Sequence, residues 1–261
     1  MRIVRAAMVA VWVMTCGLLP GAAASESLDA SSLTHAYETI IHPDFSRDAV
    51  WVGISDGVSL PTTEYPWRTI NWLGECGVEI VRGRERGFRL VGDCRLEGLE
   101  PAGGCGQVGL NTAFVFNAEE GFEVAVSYSY RELPGAFRVE LHTQGFYAHG
   151  TLAVGSSSAE FYTCCDGCFR DGPCRWVGRE WADLDWWQSG PHMLTLVYDP
   201  IYRLVEGWID GNHRVGGWIM PIEFGTTILR LFVDCWAGAV GPVDVEVHDV
   251  LIGLNRSDRT P

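Results

Sequence analysis

The chain has 261 residues, of which 47% are apolar and 20% charged, a balance typical of a folded globular protein. This composition excludes a disordered, collagen-like or coiled-coil chain. All 19 basic residues are arginine, and 33 acidic residues bring the formal net charge to −14. Because most nucleic-acid affinity comes from neutralising phosphates, this charge argues against a nucleic-acid partner and against adhesion to an anionic membrane.

The first 24 residues are typical of a secretory signal peptide. Arg2 and Arg5 precede an apolar stretch over residues 6–19, and three alanines, Ala22–Ala24, follow it. The stretch is shorter than the roughly 20 residues of a membrane-spanning helix, and no later segment is apolar enough to span. We therefore expect cleavage near Ala24 and a secreted, periplasmic or extracellular product; lipid attachment at Cys16 is the alternative.

The body of the chain is expected to consist of short strands. Alternation is clearest from Gly121 to Tyr130, where Phe122, Val124 and Val126 share one face and Glu123 lies on the other, which is typical of a half-buried strand. In chain order, the predicted strands are Ala49–Ile54, Val78–Val81, Phe88–Val91, Ala113–Phe116, Gly121–Tyr130, Ala136–Thr143, Gly150–Val154, Leu194–Tyr198, Val205–Ile209, Leu229–Val233 and Val243–Val247.

The fold class that follows is all-β. No window shows an apolar stripe of helical period, and turn dipeptides such as Asp199–Pro200 and Asp210–Gly211 separate the runs. This predicts an antiparallel β-sandwich or barrel in one domain, residues 45–254, after a loosely ordered stretch, residues 25–44, and before a polar tail, residues 255–261. The residues expected in its core are Phe122, Val124, Val126, Val139, Leu141, Leu196, Leu231 and Val245.

Nine cysteines are present, and removal of Cys16 with the signal peptide leaves an even number. In an exported chain this predicts disulfides, although the sequence does not select the pairing. The cysteines concerned are Cys76, Cys94, Cys105, Cys164, Cys165, Cys168, Cys174 and Cys235. A zinc site at Cys165 and Cys168 is the alternative, but a second pair with this spacing is missing.

Residues Pro191–Gly211, PHMLTLVYDPIYRLVEGWIDG, have the pattern of a hairpin, with Trp186, Trp187 and His192 leading into it. Together with a closing strand at Val243–Leu254, this resembles the concanavalin A-like lectin/glucanase superfamily, especially its laminin-G-like branch. The resemblance implies a jelly roll of two curved antiparallel sheets with a concave face that often holds glycans. It implies no particular activity.

Trp176–Trp187 interleaves tryptophans with carboxylates, and flat aromatic rings suit the apolar faces of sugars. The candidate ligand-binding residues are Trp181, Asp183, Asp185, Trp186 and Trp187, and the expected partner is a carbohydrate or a glycosylated surface. The alternative is that these tryptophans belong to the core. No cofactor is expected, except that a structural calcium held by Asp166, Asp171 or Asp199 is compatible with the resemblance.

Catalysis is the second hypothesis. Arg138, Glu140 and His142 share one strand face, where an arginine could neutralise a uronic acid carboxylate and a histidine could take a proton, as in a lyase. The alternative is a charge ladder on a solvated sheet face. The Glu-x-Asp-x-x-Glu motif of the superfamily's retaining glucanases is missing.

We therefore predict a secreted glycan-binding or surface-recognition module, for which the missing glucanase motif argues against catalysis of that type without deciding whether the protein is an enzyme. The alternatives are a polysaccharide lyase or glycoside hydrolase of the same fold, and a structural surface protein without a small ligand.

Overall fold

A computed structural model of the protein describes residues 27–45, 59–60, 67–72, 77–84, 86–95, 106–113, 121–143, 147–156, 158–164, 176–183, 190–219, 227–235 and 240–255. Sixteen strands and one short 3-10 helix, Ala30–Ser32, lie in these ranges. The strands are β1 Thr39–Ile41, β2 Ser59–Leu60, β3 Trp67–Trp72, β4 Gly77–Arg82, β5 Phe88–Asp93, β6 Gly106–Thr112, β7 Gly121–Glu132, β8 Ala136–Thr143, β9 Tyr147–Val154, β10 Ser158–Cys164, β11 Trp176–Asp183, β12 His192–Asp199, β13 Leu204–Ile209, β14 His213–Ile219, β15 Thr227–Cys235 and β16 Pro242–Asn255.

The strands form two antiparallel sheets, as the sequence predicts. Sheet A has the order β14-β13-β12-β7-β16-β5-β4, and β1 also pairs with β16. Sheet B has the order β11-β10-β9-β8-β15-β6-β3-β2. Each sheet has two edge strands, so neither closes into a barrel, and the fold is an antiparallel β-sandwich.

The core lies between the sheets. All eight residues predicted for it are fully buried. Rings from the two sheets pack against each other: Tyr128 of β7 stacks on Phe137 of β8 with centroids 4.9 Å apart. Alternation along the long strands β7, β8, β12 and β16 therefore assigns their core faces correctly.

Strand β6 is among the strands that the sequence pattern does not predict. Of the predicted strand Ala113–Phe116, only Ala113 is described; it lies just after β6, which ends at Thr112, and the rest of that predicted strand lies outside the described residues. The two glycines of β6 interrupt the alternation of apolar side chains by which a strand is predicted. Gly109 is nevertheless needed, because the neighbouring strand β15 lies very close to it. A Cβ at Gly109 would lie 2.0 Å from the carbonyl oxygen of Leu231. The predicted strand Ala49–Ile54 lies outside the described residues.

The N-terminal segment, residues 27–45, packs on sheet A. Buried Glu123 accepts hydrogen bonds from the backbone N–H of Thr34 at 2.8 Å and from the Tyr37 hydroxyl at 3.0 Å. Buried Asp249 accepts one from the Leu28 N–H at 2.9 Å. Strand β7 is therefore buried on both faces, and the prediction of a half-buried strand is wrong there. Residues 25–44 are expected to be loosely ordered, whereas the described part of this stretch, residues 27–44, makes these specific contacts.

A disulfide joins Cys94, just after β5 of sheet A, to Cys235, at the end of β15 of sheet B. The bond spans 141 positions of the sequence and ties the two layers together. Only the backbone of Cys164 is described, and the other five cysteines predicted to pair lie outside the described residues. Their pairing stays a prediction.

The predicted signal peptide and most of the predicted polar tail, residues 256–261, lie outside the described ranges. Cleavage near Ala24 therefore stays a prediction. Within the described ranges, no helix has the length and apolar character needed to cross a bilayer.

Candidate functional site

A polar cluster occupies the face of sheet B that points away from the core. In β8, Val139 and Leu141 face the core, so Arg138, Glu140 and His142 alternate onto the outer face. The same alternation applies in the neighbouring strands. We name the set the sheet B cluster, and its members are Gln107, Arg138, Glu140, His142, Thr151, Tyr162, Arg230 and Asp234.

Glu140 lies at the centre of the cluster. Arg230 donates to its Oε1 at 2.9 Å, and the Thr151 hydroxyl donates to Oε2 at 3.3 Å. The Nδ1 atom of His142 lies 3.1 Å from Oε1. Burial alone raises the pKa of this carboxyl, but the His142 hydrogen bond and the nearby positive charges outweigh burial and lower the pKa to about 2. Glu140 is therefore ionised at neutral pH and cannot act as a proton donor.

Arg138 makes a second set of contacts. Its guanidinium pairs with the carboxylate of Asp234 and donates to the hydroxyl of Tyr162. It also lies over the Tyr162 ring, 5.4 Å from the centroid. Burial opposes the charged guanidinium, but Tyr162, Asp234 and Glu140 raise the pKa of Arg138. Burial also raises the pKa of Tyr162, which stays protonated at neutral pH.

Arg230 connects three strands. Besides Glu140 in β8, it donates to Oε1 of Gln107 in β6 at 2.6 Å. Its guanidinium lies 4.7 Å from the ring centroid of Phe232, which is fully buried on this outer face. The charges of Arg138 and Arg230 are thus offset by those of Glu140 and Asp234 within the cluster.

Exposure differs sharply within the cluster. The side chains of Arg138, His142 and Arg230 are 22%, 19% and 13% exposed, whereas those of Glu140 and Asp234 are 5% and 4% exposed. The donors reach solvent and the acceptors lie beneath them. Such donors, held in fixed directions, suit hydroxyl or carboxylate oxygens of a bound ligand.

This geometry differs from a ladder of solvated charges. The register does place Arg230 opposite Glu140, as in a cross-strand pair. However, solvated pairs contribute little and hold their side chains loosely, whereas Glu140 is buried and contacted from three strands.

The tryptophan-rich candidate site falls largely outside the described residues. Asp185, Trp186 and Trp187 are not described, and only the backbone is described at Trp181 and Asp183 in β11. In the register, Trp181 lies opposite Glu160 and Asp183 opposite Ser158 of β10. The predicted stretch therefore begins on the edge strand of sheet B, the sheet that carries the cluster.

Sequence reasoning found the β8 members of the cluster and missed the others. The alternation of Leu229, Leu231 and Val233 identifies β15 and leaves Arg230 and Asp234 on its opposite face. What the sequence does not reveal is that β15 pairs with β8, because Arg230 and Glu140 are 90 positions apart.

The described residues contain no group of three or more histidine, cysteine or acidic side chains arranged to hold a metal ion. The candidate calcium ligands Asp166 and Asp171 lie outside the described ranges. Asp199 uses one carboxylate oxygen to cap the turn after β12, accepting from the N–H of Ile201 at 2.8 Å.

Known structures share this architecture. An endo-acting O-glycanase from the human gut microbiota that initiates mucin breakdown aligns with a TM-score of 0.50 and 10% identity, over 85% of this chain and all of the other. An alginate lyase of polysaccharide lyase family 7 aligns at 0.48 and 9%, over 83% and 94%. The carbohydrate recognition domain of Emp47p aligns at 0.49 and 12%, over 88% and 100%.

No protein-family model matches the chain, and no curated protein sequence matches it. At these identities, structural likeness shows the fold alone and does not select an activity. The fold implied by the hairpin and the closing strand is confirmed: the chain is an antiparallel sandwich of two sheets, the fold that the O-glycanase structure shares.

Proposed function

We propose that this protein binds carbohydrate chains on the outer face of sheet B, through the sheet B cluster. The observation that supports this most strongly is the arrangement of partly exposed donors over buried acceptors. Burying ionised groups costs free energy, and the stability of a β-sandwich does not require such groups on an outer face. A rigid network of donors, in contrast, lowers the entropy lost when a ligand binds.

The charge balance of the cluster favours a ligand rich in hydroxyl groups. Arg138 and Arg230 are offset by Glu140 and Asp234, so little net positive charge remains to attract a polyanion. The net charge of −14 on the whole chain also repels a polyanion. We extend this proposal to Trp181 and Asp183 of β11, because tryptophans alternate with carboxylates in that part of the sequence. Export through the predicted signal peptide would bring the protein to extracellular glycans.

The test compares matched arginine variants in a glycan array followed by calorimetry. Arg230→Met removes the central donor, and Arg214→Met removes an arginine that pairs with Glu206 at 2.7 Å on sheet A. We expect Arg230→Met to weaken glycan binding by about tenfold or more, equivalent to about 1.4 kcal/mol. Arg214→Met should leave binding unchanged.

Arg230→Met also leaves Glu140 without its main cation, so a double variant with Glu140→Gln guards against misfolding. His142→Ala, at a more exposed position, provides a third probe. If the wild-type protein retains no glycan, or if Arg214→Met weakens binding as much as Arg230→Met, the proposal is wrong.

A lyase acting on polyuronates is the second candidate, favoured by the placement of Arg138 and His142 beside the ionised Glu140. Arg138 would pair with the uronate carboxylate, and His142 would take the C5 proton. The electron pair of that C–H bond would form the C4–C5 double bond as the C4–O bond breaks, and the leaving oxygen would acquire a proton.

The unsaturated product absorbs ultraviolet light, so incubation with polyuronates tests this candidate directly. We expect His142→Ala to abolish any such absorbance. A wild-type protein that binds glycans without producing this absorbance excludes the lyase and leaves the binding proposal intact.

A further inference from the structure

A concave feature lies beside sheet A, away from the sheet B cluster. It is a cavity of about 460 Å³, between the N-terminal segment and the turn that joins β12 to β13. Its volume falls in the range of about 300 to 1,000 Å³ typical of small-molecule sites. The lining residues that matter here are His35, Tyr37, Gly121, Asp199, Ile201 and Asn255.

We infer that this cavity is a separate binding site for a neutral sugar ring. None of its lining residues belongs to the sheet B cluster. The inference therefore does not depend on the function proposed for that cluster, and each can fail without the other.

The lining has the two properties that a sugar ring requires. Rings and aliphatic groups supply an apolar wall: His35 and Tyr37 pack edge to face with centroids 6.3 Å apart, and Ile201 stands at the other side. Asp199 and Asn255 supply oxygen and amide groups among these walls. A hexopyranose has an apolar C–H face and a rim of hydroxyl groups, which matches this combination.

The charges around the cavity argue against an anionic ligand. Asp199 lies in the lining, and the buried carboxylate of Glu123 lies directly behind Tyr37, whose hydroxyl donates to it at 3.0 Å. Arg203, which interacts with Tyr198 of the lining, offsets only one of these two negative charges. A phosphate or carboxylate entering here would meet like charge. A neutral, hydroxylated ring meets acceptors for its O–H groups instead.

The backbone of the N-terminal segment beside the cavity is held in place before any ligand binds. Glu123 also accepts from the Thr34 N–H, which anchors the segment carrying His35. Asn255 accepts from the backbone N–H of Glu38 at 3.3 Å, which ties β16 to the same segment. Because this backbone is already anchored, binding a small ligand costs less entropy here than on a mobile loop.

Ile201 and its neighbour Tyr202 offer a way to test this inference. The Ile201 side chain is 82% exposed, next to Tyr202 at 71%. A single exposed apolar residue needs no explanation. Ile201, however, lines the cavity and Tyr202 does not, so the two neighbours form a matched pair for an experiment.

The test uses methyl glycosides of glucose, galactose and mannose as probes, followed by ligand-observed NMR and calorimetry. The protein carries the double variant Arg230→Met with Glu140→Gln, so that the sheet B cluster does not contribute. We expect at least one glycoside to bind weakly, with a Kd on the order of micromolar to millimolar. His35→Ala combined with Ile201→Ser should weaken binding by about tenfold, whereas Tyr202→Ser should leave it unchanged.

Three results would overturn the inference: no binding of any of the three glycosides to this protein or to the wild type, an equal loss with Tyr202→Ser, or binding that is present in the wild type and disappears in the double variant. The last result would assign the sugar to the sheet B cluster. Retention of polymeric glycans on the array measures that cluster separately, so the two failures are distinguishable.

Discussion

Glu140→Gln tests whether the sheet B cluster is held together by an ionised, buried carboxylate. The pKa of Glu140 is about 2, against an ordinary value of 4.5, because Arg230, His142 and Arg138 stabilise the charged form. Each pKa unit corresponds to about 1.4 kcal/mol, so the lowered pKa contributes about 3 kcal/mol to the free energy of unfolding at neutral pH.

The sign of the pH dependence follows from this difference. The folded-state pKa is below the unfolded one, so the contribution is complete above about pH 4.5 and is lost as the pH falls towards about 2. By about pH 3, roughly 2 of the about 3 kcal/mol should be gone. Wild-type protein should therefore be more stable than Glu140→Gln near pH 6, and this advantage should shrink in acid.

Urea unfolding followed by tryptophan fluorescence, at several values between about pH 6 and pH 3, measures this difference. Other carboxylates also titrate in this range, so the informative quantity is the difference between variant and wild type. Glu206→Gln is the matched control, because the half-exposed pair of Glu206 with Arg214 contributes at most about 1 kcal/mol. A Glu140→Gln difference that stays constant with pH would show that the carboxylate is not held ionised by its partners.

Three further predictions concern the fold. Replacing Cys94 and Cys235 with alanine should lower the free energy of unfolding by about 2 to 5 kcal/mol in urea, and no loss would contradict the role of the bond between the sheets. Glu123→Gln should speed amide hydrogen exchange over residues 28–45, because the Thr34 N–H and the Tyr37 hydroxyl lose a charged acceptor; exchange as slow as in wild type would argue against this anchor. Gly109→Ala should lower the Tm by several degrees, since its Cβ would meet the Leu231 carbonyl, whereas Gly190→Ala, with open space around it, should not.

The strands that could be predicted are those whose side chains alternate. Strands β7, β8, β12 and β16 each place apolar residues on the core face and interrupt them with polar ones. Strand β6 could not be found in this way, because its close contact with β15 requires glycine at position 109 and glycine weakens the pattern.

Polar residues on an alternating strand do not reveal what covers them. Glu123 has the pattern of a solvent-facing residue, yet it is fully buried beneath the N-terminal segment. Leu28 and Leu33, set in a polar stretch, are the residues that pack with Ala125 and Leu251 to cover that face. Sequence spacing does not indicate this contact, since Thr34 and Glu123 are 89 positions apart.

The contacts between strands in the sheet B cluster could not be predicted from the sequence either. Function therefore has to be argued from the site in the structure. Arg138, Glu140 and His142 alone have the alternation that any strand with a solvated face shows. What separates a binding site from a solvated ladder is Arg230, which contributes a charge from a strand distant in sequence and connects Glu140 to Gln107. Many proteins with this fold carry unrelated activities. An outer face on which buried acceptors hold partly exposed donors is a property of this chain, and it is therefore where binding should first be measured.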